Sequence, residues 1–91
     1  MIKTIWKYVL EAGGSNLIRM PVGASLLTVQ MQGSDVCMWA LVDPSAATEG
    51  RRFRVIGTGH RIENADALKY VSTFQPNEGG SPLVFHVFEE V

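Results

Sequence analysis

A chain of 91 residues, 46% of them hydrophobic, with a formal charge of −1, is sized for one core, so residues 1–91 are read as a single domain. Eight Lys plus Arg against nine Asp plus Glu leave no basic excess of the kind that gripping a phosphate backbone needs, which argues against nucleic acid as a partner. A lone Cys37 excludes an internal disulfide; with no signal-type apolar start and no apolar run near the ~20 residues that cross a bilayer, the expectation is a cytoplasmic protein with no membrane partner.

Alternation and short β-branched or aromatic runs recur between Gly, Pro, Asn and Asp, and they predict an all-β domain of about seven strands. Residues 2–10 set Ile2, Thr4, Trp6, Tyr8 and Leu10 on one face, expected to point inward, and Lys3, Ile5, Lys7 and Val9 on the other. A turn over residues 11–16 leads to a short strand at 17–20, and Pro21 and Gly23 enforce a break. Residues 26–32 place Leu27, Val29 and Met31 on one face, against Thr28, Gln30 and Gln32. After a hairpin loop at 33–35, residues 36–42 are apolar on both faces, as in a central strand. The longest loop is expected at 43–50, with a helical turn as an alternative over 45–49. Residues 51–56 separate Phe53 and Val55 from Arg52, Arg54 and Ile56. Asn64 is placed to cap a brief helix at 64–69, and strands at 70–75 and 83–90, joined by a loop over 76–82, end the chain. Such short strands suit a small antiparallel sandwich or a partly closed barrel with at most one short helix, because closure or a second sheet hides apolar faces and free edges. A core this small also points to a homo-oligomer.

The local basic concentration is Arg51, Arg52 and Arg54, with Arg61 beyond the Gly57-Thr58-Gly59-His60 turn. Guanidinium groups grip phosphate or carboxylate through paired hydrogen bonds, and glycines expose backbone N–H groups that can converge on an anion. The expected ligand-binding residues are therefore Arg52, Arg54, Gly57, Thr58, Gly59, His60 and Arg61. The plain alternative is a glycine hairpin corner beside a solvated sheet edge. His60 and His86 suggest an acid and base pair, but His86 lies inside an alternating apolar strand, and neither histidine is followed by the x-Ser or x-Thr of a two-histidine phosphodiesterase. Cys37, His60, His86 and the acidic residues show no metal-ligand spacing, and Cys37 sits where burial would disarm a thiol. No catalytic residue, metal or cofactor is expected. Trp6, Tyr8 and Trp39 could stack a planar ring, although aromatics in a chain of this size usually build the core.

Taken together, Ile5-Trp6-Lys7-Tyr8, Met20-Pro21-x-Gly23-Ala24, Trp39-Ala40-Leu41-Val42-Asp43, Gly57-Thr58-Gly59-His60 and Leu83-Val84-Phe85-His86-Val87-Phe88-Glu89 resemble a family of small phage and prophage proteins, over nearly the whole chain. The resemblance implies a phage accessory protein acting in the cytoplasm of the infected bacterium, and it carries no catalytic residues. The expected function is noncatalytic binding of a small anionic, nucleotide-like ligand, in effect sequestering a host defence signal. A protein-interaction module on a host protein, or a structural phage role, is the alternative; a small hydrolase using His60 and His86 is the third.

Overall fold

The computed structural model describes residues 2–76 and 82–91. Among the described residues seven strands, β1 (Thr4–Leu10), β2 (Gly14–Pro21), β3 (Ser25–Gln32), β4 (Asp35–Val42), β5 (Thr48–Gly57), β6 (Leu68–Phe74) and β7 (Phe85–Glu90), build two antiparallel sheets of order β1-β4-β3 and β2-β5-β7-β6. The sheets stack in a flat molecule whose Cα atoms span 42 × 32 × 15 Å, a thickness that suits two layers about 10 Å apart. The expected all-β sandwich is thus the observed class, and the barrel is not closed. Among the described residues no helix is long and apolar enough to cross a membrane.

The core lies between the sheets and is lined by Val29, Val36, Met38, Ala40 and Val42 from one, and Met20, Phe53, Val55, Phe74 and Val87 from the other. β4 is the central strand of its sheet, as its two-sided apolar run requires. Its inner face carries Val36, Met38, Ala40 and Val42, while Cys37, wholly buried, and Trp39 and Leu41 lie on the outer face. Gly33 and Ser34 form the two-residue hairpin turn into β4, and Gly33 takes φ 61, the left-handed value that the first central position of a II′ turn demands.

Several local expectations are corrected. β3 and β6 each contain a bulge: the register slips between Leu26 and Thr28, and between Tyr70 and Ser72. The extra residue in β3, Leu27, is pushed outward and exposed, so Leu26, Val29 and Met31 form the inner row. Trp6 shares the inner-facing register of Tyr8 and Leu10 but stays 39% exposed, because β1 is an edge strand that overhangs the core. The helix at 64–69 shrinks to a single 3₁₀ turn at Ala65–Ala67; Asn64 adopts φ 58 and makes no side-chain cap, and Leu68 and Lys69 join β6. Thr48, Glu49 and Gly50 extend β5, so the long loop is shorter than expected and the helical turn at 45–49 does not form. β2 begins at Gly14, earlier than expected, and β7 starts at Phe85. The expected loop at 76–82 falls mainly on residues outside those described.

Two side chains do the work of missing ladders. At one side of the sandwich Ser72 Oγ accepts from Val29 N–H at 3.2 Å and donates to Val29 O at 3.4 Å, tying β6 to β3. Between β1 and β2, buried Asn16 accepts from Glu11 N–H at 2.8 Å and donates to Glu11 O at 3.1 Å. Both satisfy backbone groups that would otherwise be orphaned in a sheet-to-sheet crossing.

Candidate functional site

Strand alternation splits the arginine run. Arg51 points into the sandwich, where it makes a two-pronged bond to Glu89, Nε to Oε2 at 2.6 Å and Nη2 to Oε1 at 2.8 Å, and donates from Nη1 to Ala24 O at 2.7 Å. The Glu89 hydrogen bond outweighs the cost of burial and raises the Arg51 pKa above its ordinary value. This arginine is structural, a clasp between β5, β7 and the β2–β3 turn.

Arg52 and Arg54 face outward from the four-stranded sheet. Arg52 reaches Ser15 Oγ at 3.3 Å and Glu90 at 3.7 Å, an exposed and loose pairing. Arg54 sits directly opposite Ser15 on β2 and Phe88 on β7, half-buried, and its side chain makes no hydrogen bond or ion pair among the described residues. Tyr70 lies across from Phe88, edge-on to its ring with centroids 5.8 Å apart. The outer face therefore presents an unpartnered guanidinium beside two aromatic rings.

Next along the same face runs a chain of hydrogen bonds. Thr58 Oγ1 lies 2.7 Å from His86 Nε2, Thr73 Oγ1 lies 3.0 Å from His86 Nδ1, and Tyr70 OH lies 2.8 Å from Thr73 Oγ1. Thr58 O–H donates to Val84 O at 3.2 Å, so its oxygen accepts from Nε2–H; Nδ1 then accepts from Thr73, whose oxygen accepts from Tyr70 O–H. With a neutral ring, that tautomer is the one that makes all four bonds. Tyr70 and Thr73 are three apart, which in a regular strand would put them on opposite faces; the bulge between Tyr70 and Ser72 brings them to one face.

The Gly57-Thr58-Gly59-His60 turn divides differently from expectation. Gly59 takes φ 89, whereas Gly57 has no positive φ and pairs with Phe85 as the last residue of β5. The amides of Thr58 and His60 already donate to Val84 O at 3.0 Å and to Gly57 O at 3.2 Å. Thr58 joins the outer face, while His60, exposed, turns its ring back beside Gly57, where Gly57, Thr58, His60, Val84 and Phe85 help line a shallow hollow of about 330 Å³. Arg61 is exposed and unpaired among the described residues. The structure thus brings Arg52, Arg54 and Thr58 onto one face; Gly57 and the His60 ring lie on the inner-row side beside Phe85, and Gly59 and Arg61 follow beyond the end of β5.

His86, Thr73, Tyr70 and Phe88 join that face without having been singled out as ligand residues. Alternation over 84–88 did pair His86 with Phe88 on one side of β7, and that was the available signal. The two histidines share no hydrogen bond. Among the described residues no three His, Cys, Asp or Glu side chains gather as a metal site.

The family model described as Domain of unknown function (DUF7352) matches residues 1–91, and the chain belongs to that family. No curated protein and no solved structure matches the chain.

Proposed function

We propose that this member of the family is a noncatalytic binding protein that holds a small anionic, nucleotide-like ligand on the outer face of the four-stranded sheet. The observation that carries the reading is Arg54, a half-buried guanidinium without a partner among the described residues, set between Ser15 and Phe88 with Tyr70 alongside. A phosphate on Arg54, helped by Arg52, leaves a planar base free to lie against the aromatic pair. The Thr58–His86–Thr73–Tyr70 chain supplies hydroxyl groups of fixed direction, with Gly59 and Arg61 beyond the end of β5 and Gly57 and His60 on the other side of that strand end. In the assigned tautomer His86 donates to Thr58 instead of taking its proton, which supports holding over transforming. The resemblance to phage proteins extends the reading to an accessory protein of the infected bacterial cytoplasm that sequesters a nucleotide signal of host defence.

The test is to incubate purified protein with cyclic and linear nucleotides, then denature it and analyse what is released. Recovery of unchanged nucleotide is expected, and Arg54→Ala should weaken binding roughly ten- to hundredfold, the worth of a charge-assisted hydrogen bond. Failure to bind any nucleotide sinks the reading. A host protein recovered in stoichiometric amount in its place favours the interaction-module alternative, for which exposed Leu17 and Tyr70 on the same face speak.

A further inference from the structure

Sheet edges are sites of unplanned pairing, and three of the four edges here are managed. β3 and β6 face one another, both are bulged, and Ser72 ties them together. β2 carries Pro21 at its end, Arg19 bonded to Thr48 at 3.3 Å, and the Asn16 clasp. β1 shares only the Asn16 clasp, which holds the backbone of Glu11 just past its end and leaves Thr4–Leu10 open. Its ladder to β4 runs without a slip from Thr4↔Val42 to Leu10↔Val36, and it contains neither Pro nor Gly. Its one charge, Lys7, does not guard the edge, because Nζ reaches across β4 to Gln32 Oε1 on β3 at 2.7 Å. Ile5 (55%), Trp6 (39%) and Val9 (51%) remain exposed on this strand.

We infer that β1 is a self-pairing edge: two copies of this chain join β1 to β1 antiparallel about a two-fold axis and make one continuous six-stranded sheet. Antiparallel pairing of a strand with itself is self-complementary, as a two-fold interface requires. The register centred on Lys7 uses the whole strand. It sets Ile5 opposite the partner's Val9, so that two exposed apolar residues cover each other on the outer face, and Trp6 opposite the partner's Tyr8 on the inner face. It also sets Lys3 opposite the partner's Glu11 at both ends, an attractive pair. The two Lys7 residues meet on the axis through their backbones alone, since each ammonium group is drawn away over its own sheet. A register centred on Ile5 would instead oppose Lys3 to Lys7 twice, and would pair less of the strand. The inference takes the expected self-association to one edge and one register, and it is independent of the ligand reading.

The experiment is sedimentation of the whole chain over a wide concentration range, with two paired variants at exposed positions. The unaltered chain is expected to be a dimer. Ile5→Lys with Val9→Lys opposes lysine to lysine twice across the axis and should give a folded monomer by circular dichroism. Ile5→Lys with Val9→Glu opposes unlike charges in this register and should keep the dimer. Lys7→Cys in a Cys37→Ala background should cross-link under mild oxidation faster than Trp6→Cys, because a residue on the axis faces its own copy at disulfide distance. A monomeric unaltered chain, a dimer indifferent to the double-lysine change, or faster cross-linking through Trp6→Cys overturns the proposal. A monomer that still binds nucleotide leaves the ligand reading standing, and a dimer that binds none leaves this one.

Discussion

Tyr8 shows how an edge strand taxes a single residue. Its hydroxyl is buried with no hydrogen-bond partner among the described residues, and burial raises the pKa of the phenol above its usual value near 10. A buried donor without a partner costs about 1–3 kcal/mol, so Tyr8→Phe should stabilise the fold by about 1 kcal/mol, read as a rise of roughly 5 °C in Tm. The sign of the pH effect follows from the same fact. The unfolded chain ionises this phenol at a lower pH than the folded one, so the fold loses stability as pH rises above about 10; Tyr8→Phe should flatten that alkaline limb. Arg51 and Glu89 are the opposite case, since each satisfies the other in a half-dry site. Glu89→Ala strands the guanidinium and should cost about 3 kcal/mol by denaturant unfolding, far more than removing the exposed Glu90.

At the scale of elements, the turn after β5 separates two glycines that look alike in the chain. Gly59 occupies the left-handed region at φ 89, so Gly59→Ala should destabilise by about 1–2 kcal/mol. A Cβ on Gly57 would meet the rings of His60 and Phe85 at 3.4–3.6 Å, ordinary contact, so Gly57→Ala should stay within about 0.5 kcal/mol of the parent. Chemical denaturation of the two variants side by side checks the contrast, and equal losses would refute it. The bulges matter more for the candidate site. Without the slip between Tyr70 and Ser72, Tyr70 would fall on the face opposite Thr73, and the hydrogen-bond chain would end at Thr73.

For the whole molecule, the sandwich is held shut on one side by a serine where a closed barrel would have a ladder. Ser72→Ala removes the partner of Val29 N–H, a residue with no solvent exposure, and should cost about 1–3 kcal/mol in equilibrium unfolding. Amide exchange at Val29 should accelerate more than exchange in β4, because opening would begin at that seam. How much of this architecture was legible in advance depends on range. The central place of β4, the inner row of β5, the split of Arg52 and Arg54 from Phe53 and Val55, and the hairpin at Gly33 and Ser34 follow from apolar patterning and turn chemistry, which a strand carries within itself. The all-β class and the number of strands were therefore determined by the amino-acid order alone. Which strands became edges, where the ladders slip, and that His86 meets Thr58 and Thr73 were decided by pairing between segments distant in the chain. A bulge or an exposed edge is a property of two strands together, so no single stretch of the chain records it.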